Sequence, residues 1–212
     1  MRNPLLTAFA LSALLAVPAS AQETAAPTAP TALELGASAP MADVPMQGID
    51  GKSLTIAKAT GKKGTLVIFT CNACPWVKNW ETRIAEVGNA AAKSGIGVIA
   101  INPNDPAQNA EDGFDEMKKR AKKLGLRFPY VVDASSDIAR AFGATRTPEV
   151  FLFDAKGKLV YHGAIDDNAR DAKAVEARWL SDAVVAVAAG KPVGESKTKA
   201  LGCTIKFRKT AS

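Results

Sequence analysis

Histidine and cysteine are scarce in this 212-residue chain, which has one histidine and three cysteines. A structural zinc site takes about four thiolate or imidazole ligands, usually as two pairs. Only Cys203 and His162 could join Cys71 and Cys74, and those two form no pair, so no metal is expected. No glycine-rich nucleotide loop and no internal repeat is present, and no cofactor is expected. After Val17 no apolar run is long enough to cross a bilayer. The net charge is +6, but the basic residues are scattered. Lys118, Lys119, Arg120, Lys122 and Lys123 share one predicted helix and form a solvated face, so nucleic acid is not an expected partner. A weak preference for acidic partners or membrane surfaces stays open.

What is present begins with an export signal. Met1-Arg2-Asn3 gives a positive start, residues 5–17 an apolar stretch, and Ala19-Ser20-Ala21 a small-residue cleavage pattern. Residues 1–21 are therefore expected as a signal peptide that directs the chain to the periplasm; an uncleaved membrane anchor is the alternative. Residues 22–40 are rich in Ala, Pro and Thr and are expected as a disordered linker. One domain is expected over residues 41–190, with residues 191–212 as a tail carrying Cys203. Export places the thiols in an oxidising compartment, where disulfides persist. Three cysteines leave one thiol over, which favours exchange chemistry over a static framework.

Residues 65–70 form a continuous apolar run that ends directly at Cys71. From Pro75 to about residue 93 the pattern turns helical, with Val77, Trp80, Ile84 and Val87 spaced by three or four. Residues 97–102 predict a second buried strand, 110–124 a charged helix, 130–133 a short strand, and 136–142 a short helix with Ser135 as N-cap. Residues 149–154 and 159–163, across a Gly-containing turn, predict a hairpin, and 171–189 a closing helix. Alternating strands and helices predict an α/β fold, a central mixed sheet with helices on both faces.

Cys71-Asn72-Ala73-Cys74 lies between a buried strand and a helix start. Backbone N–H groups there favour negative charge and lower a nearby thiol pKa, and the thiolate is the attacking species in disulfide exchange. Cys71, first and at the loop end, is assigned as nucleophile, and Cys74 as the deeper, resolving thiol. Pro75 keeps Cys74 off helical angles. An inert Cys71–Cys74 disulfide is the plain alternative, although a bridge over so short a loop stabilises little.

The strand, Cys-x-x-Cys and helix, followed much later by Thr147-Pro148, resemble the thioredoxin superfamily. More narrowly, Phe69-Thr70-Cys71-Asn72-Ala73-Cys74-Pro75-Trp76, Arg146-Thr147-Pro148-Glu149-Val150-Phe151 and Gly202-Cys203-Thr204-Ile205-Lys206 resemble the redoxin-type, peroxiredoxin-like exported proteins of bacteria. The resemblance implies a thioredoxin-like fold in which Pro148 is a cis-proline packed beside the cysteines. It further implies that Thr147 offers its backbone to an incoming substrate chain. A proline at the start of a strand is the alternative. Two departures stand out. Residues 65–70 lack the buried acid of typical thioredoxins, so proton handling must differ. The peroxidase frame Pro-x-x-x-Thr/Ser-x-x-Cys is also missing, since Ile68 and Gly64 stand where Cys71 would need Thr and Pro.

Cys203 precedes an alternating segment, so the tail is expected to pack back as an extended piece and bring Cys203 to Cys71 as a third redox thiol; a buried free thiol or a disordered tail is the alternative. His162 is expected as a packed or surface residue. Trp76 and Trp80 share a helix face, Trp76 with a possible substrate-facing role; Asp166 and Asp167 are expected near the last helix, not as an acid/base pair. Thiol–disulfide exchange with protein or small-molecule thiols and disulfides is the leading function, by a monomer with a membrane redox partner as a further candidate. Peroxide reduction is second, and a Cu(I)-type thiolate carrier third, weakened by the lack of a Met- or His-rich cluster.

Overall fold

The computed structural model describes residues 31–209, so the expected signal segment and residues 22–30 of the linker lie outside it. Strand β1 spans Met46–Gly48, β2 Ser53–Leu54, β3 Gly64–Phe69, β4 Ile96–Asn102, β5 Tyr130–Val132, β6 Arg146–Thr147, β7 Glu149–Asp154, β8 Leu159–Gly163 and β9 Cys203–Thr204. Helix α1 spans Ile56–Ala59, α2 Pro75–Lys93, α3 Phe114–Leu124, α4 Asp137–Phe142 and α5 Trp179–Ala188.

The main sheet has two parts, β2-β1-β5-β4 and β3-β7-β8. They meet where β3 lies beside β4, and Thr70 N–H donates to Ile101 C=O at 2.9 Å. β4 and β5 pair parallel, while β3–β7 and β7–β8 pair antiparallel. The sheet is thus mixed. Because it is covered on both sides, its central strands are apolar without alternation. Leu66 and Ile68 of β3 face Trp80, Met117 and Leu180. Val67 and Phe69 face the opposite layer, with Ile56, Ile138 and Phe142. In that second layer Phe142 meets Phe69, Phe151 and Phe153 edge-to-face at 5.1–6.1 Å between centroids.

Four sequence expectations change. The linker does not stay loose to residue 40. Leu33 N–H donates to Phe142 C=O at 3.1 Å, Gly36 N–H donates to Leu159 C=O at 2.8 Å, and Leu33 and Ala39 pack on the core. Apolar anchors and paired backbone groups offset the ordering cost that an Ala/Pro stretch alone could not. The expected helix 110–124 is split. Residues Ala110–Asp112 form a 3-10 turn, Gly113 is extended, and α3 starts at Phe114. The expected helix 171–189 likewise begins only at Trp179, because Asp171 accepts from Lys173 N–H and Asp167 from Glu176 N–H, closing local turns instead. Ser135 accepts from Asp137 N–H at 3.3 Å, while the residue flanking α4 is Ser136, in left-handed backbone.

Among the described residues, no helix is long and apolar enough to cross a membrane.

Candidate functional site

The site forms where β3 stops and α2 starts. Proline at the first helical position has no N–H to satisfy and cannot let the preceding residue turn helical. Cys74 accordingly flanks α2 in extended backbone, φ −69° and ψ 124°, and Lys78 N–H donates to its carbonyl at 3.0 Å. Cys71 and Cys74 are both buried, 2% and 4% exposed, so the expected contrast between an exposed first and a deeper second cysteine is absent. Each packs against Val77, with Trp76 and Cys203 at the edge.

Thr147 faces both sulfurs, and its bond to Pro148 is cis. Its hydroxyl lies 3.1 Å from Cys71 Sγ, and its carbonyl accepts from the Cys74 thiol at 3.2 Å. Glu149, buried just beyond, fixes this corner: one carboxylate oxygen accepts from Thr145 N–H at 2.9 Å and Arg146 N–H at 3.0 Å. The other oxygen lies 2.7 Å from His162 Nε2, and the imidazole stacks on Phe151 at 4.3 Å. His162 is therefore a packed strut.

The motif is held from its other side by Asp112. Its buried carboxylate accepts from Asn72 N–H at 2.6 Å, Ala73 N–H at 3.0 Å and Asn104 Nδ2 at 2.9 Å. Asn72, chemically plain in the sequence, is a second clamp. Its amide donates to Glu111 C=O at 2.8 Å, and it accepts from the Tyr130 hydroxyl at 3.2 Å and from Arg120 at 3.0 Å.

The two thiols titrate as one unit, because each proton's cost depends on the other sulfur. Cys74 is pulled down to about 5, mainly by hydrogen-bond donation from the Cys71 thiol, with help from the thiol of Cys203 and the N–H groups of Val77 and Cys203. Cys71 is pushed up, first by that same donation to Cys74, then by burial and by the Asp112 carboxylate. The first negative charge therefore comes early and belongs to the pair, and donation from the Cys71 thiol favours it on Cys74. The Thr147 carbonyl supports the other tautomer, with Cys74 protonated and Cys71 charged.

A family model described as Redoxin matches residues 34–177. The chain belongs to the redoxin family. It is 34% identical to a hypothetical protein of Sinorhizobium meliloti of known structure, with a TM-score of 0.77 over 85% of this chain and 98% of that one. It is 33% identical to an uncharacterized conserved protein of Geobacillus kaustophilus, TM-score 0.76, over 84% and 94% of the two chains. Among sequence relatives, a protein of Geobacillus thermodenitrificans named thiol-disulfide oxidoreductase ResA is 28% identical over 132 residues, 62% of this chain and 70% of the relative.

In this redoxin, Cys71, Cys74, Thr147 and Pro148 come together, with Trp76 partly buried at their edge. Trp76 leans on Trp80 at 5.9 Å, and Trp80 lies wholly in the core, donating to Asp166 at 2.7 Å. Asp166 also pairs with Arg83 at 3.2 Å. Cys203 packs at the edge of the motif against both cysteines, because β9 pairs antiparallel with β6 and sets Cys203 opposite Thr147, and its thiol and N–H bear on Cys74. The tail is thus part of the domain. Sequence reasoning found no acid near the motif, yet Asp112 and Glu149 both stand by. Neither carries a local signal: Asp112 is 40 residues from Asn72, and Glu149 takes the position of an ordinary strand residue. Among the described residues, no cluster of three or more His, Cys, Asp or Glu side chains is arranged to hold a metal.

Proposed function

We infer that the protein is a thiol–disulfide oxidoreductase and that the Cys71–Cys74 pair carries its reaction. The observation that supports this best is the placement of both sulfurs on Thr147 at the start of α2, one on its hydroxyl and one on its carbonyl. Membership of the redoxin family and similarity to proteins named thiol-disulfide oxidoreductase ResA support the same reading.

Proton exchange between the hydrogen-bonded sulfurs gives the Cys71 thiolate, with Cys74–SH donating to Thr147 C=O and the Thr147 hydroxyl donating to Cys71. The Cys71 thiolate attacks one sulfur of a substrate disulfide, forming a mixed disulfide and releasing the other sulfur as a thiolate. Cys74 then passes its proton to the released substrate thiolate and attacks Cys71 Sγ. The Cys71–Cys74 disulfide forms, and the substrate leaves with both sulfurs reduced. Two electrons pass from the pair to the substrate, and the reverse sequence oxidises a substrate dithiol.

Protein or small-molecule disulfides are the substrates of this proposal, and the chain acts on them as a monomer after export to the periplasm through residues 1–21. A membrane-held redox partner would restore the reduced pair. Insulin-disulfide reduction with dithiothreitol as reductant tests the chemistry. Wild-type protein should accelerate it, and Cys71→Ser should fall to the uncatalysed rate. A Cys71→Ser protein as fast as wild type would overturn the proposal. Export is tested by N-terminal sequencing of the periplasmic protein, which should begin at Gln22; a chain still starting at Met1 would contradict it.

A further inference from the structure

Thr147 gathers three sulfurs, not two. Cys71 Sγ meets its hydroxyl and Cys74 Sγ its carbonyl, while Cys203 stands opposite it across the β6–β9 pair. Residues directly opposite in an antiparallel pair have Cα atoms about 4.5–5.5 Å apart, so Cys203 is held one strand spacing from the residue that Cys74 touches.

The tail that carries Cys203 is tied down along its length. Ile205 N–H donates to Thr145 C=O at 2.9 Å, and Ile205 is buried in the core. Arg146 donates to Gly202 C=O at 2.8 Å. Asp105 N–H donates to Lys206 C=O at 2.7 Å, and Asn104 accepts from Lys206 N–H at 2.9 Å. The seat also explains the glycine before the cysteine. A Cβ at Gly202 would lie 2.2 Å from the Thr147 carbonyl oxygen and 2.7 Å from its carbon. Only glycine lets the tail approach the Thr147–Pro148 corner so closely.

We propose that Cys203 is a third redox thiol, which exchanges onto Cys74 of the oxidised Cys71–Cys74 pair. The proposal rests on the dithiol chemistry inferred above. In the step, the Cys203 thiolate attacks Cys74 Sγ. A Cys74–Cys203 disulfide forms, the Cys71–Cys74 bond breaks, and Cys71 leaves as a thiolate that takes up the proton Cys203 gave up. One disulfide replaces another, with no net oxidation. The oxidised protein then has two forms: one with Cys71 sealed, the other with Cys71 free and the tail stapled to the motif. Burial, and then the neighbouring Cys74, hold the Cys203 thiol up to about 11. Once Cys74 is in a disulfide its charge is gone, which eases ionisation of Cys203 at the moment the step needs it.

The test uses the whole mature chain carrying Cys71→Ser, reduced and then exposed to oxidised glutathione. The Cys74 thiolate attacks glutathione disulfide to give a mixed disulfide, and Cys203 then displaces glutathione. Acid quenching, alkylation and non-reducing peptide mapping should find a Cys74–Cys203 bridge in most molecules, with little glutathione retained. A lasting glutathione adduct on Cys74, with Cys203 alkylated, would overturn the proposal. Adding Gly202→Ala displaces the tail and should slow bridge formation by at least about tenfold, since a disulfide tolerates little misplacement of its Cα atoms. Equal rates in a variant whose far-ultraviolet circular dichroism matches its parent would overturn the role of the seat. The insulin assay on wild-type protein separates the two claims. Turnover without the bridge sinks only the third thiol, and a bridge without turnover sinks only the dithiol function.

Discussion

Lowering the pH from 7 to 5 should protonate a sulfur of the reduced protein and weaken its fold, and the size of both effects can be worked out. The Cys74 thiol lies at about 5 in the folded chain against an ordinary 9.0. A depressed pKa means that folding favours the charged form. The stabilisation is present above the unfolded value, erodes between the two values and is gone below the folded one. Cys71 and Cys203 are shifted the opposite way, so their contributions change only above the ordinary 9.0. The window from 5 to 9 therefore belongs to Cys74. One thiol followed across it gives at most about 1.4 kcal/mol per pH unit. With the midpoint near 5 and the proton shared within the pair, the change between pH 7 and 5 should be about 1–2 kcal/mol. The assay is urea unfolding of the reduced protein at pH 5, 6 and 7, each point compared with Cys74→Ser, which cancels the carboxylates. Thiolate absorbance at 240 nm should show one proton leaving with a midpoint near 5. A single midpoint between 8 and 9, with a stability difference that stays flat, would refute the reasoning.

Removing the Asp112 carboxylate by Asp112→Ala leaves the buried Asn72 N–H and the half-buried Ala73 N–H unpaired. At about 1–3 kcal/mol for each group, unfolding free energy should fall by about 2–5 kcal/mol. The Cys71 thiol should also titrate lower, because Asp112 is one of the groups that raise it; an unchanged titration measured by alkylation rate would contradict that electrostatic role. Phe142→Ala, which empties the edge-to-face cluster around Phe69, Phe151 and Phe153, should cost about 3–5 kcal/mol in chemical unfolding. Hydrogen peroxide consumption should stay at the background rate of a simple dithiol, since Ile68 and Gly64 occupy the positions a peroxidase frame needs; turnover far above that background would contradict the assignment.

Much of this was legible in the chain because it is encoded locally. A six-residue apolar run that halts at Cys71 and a proline that opens the following helix are short-range signals, and strand, motif and helix follow them. The hairpin of β7 and β8 announced itself through two apolar runs and a turn. What stayed hidden is what folding brings from afar. The periodicity of residues 110–124 runs through Gly113 without a mark, so the break that aims Asp112 at the motif is invisible until the tertiary hydrogen bonds form. The alternation after Cys203 told of an extended tail, but its register against Thr147 depends on contacts of Gly202, Ile205 and Lys206 with residues far away in sequence. That register is why Cys203 meets Cys74.

The central claim is that Cys71 attacks and Cys74 resolves. It is tested most directly by mixing reduced Cys74→Ser protein with a disulfide-bonded peptide and mapping the product. A stable mixed disulfide is expected on Cys71, and none in Cys71→Ser/Cys74→Ser. A peptide captured equally well by the double variant, or no capture by Cys74→Ser, would contradict it.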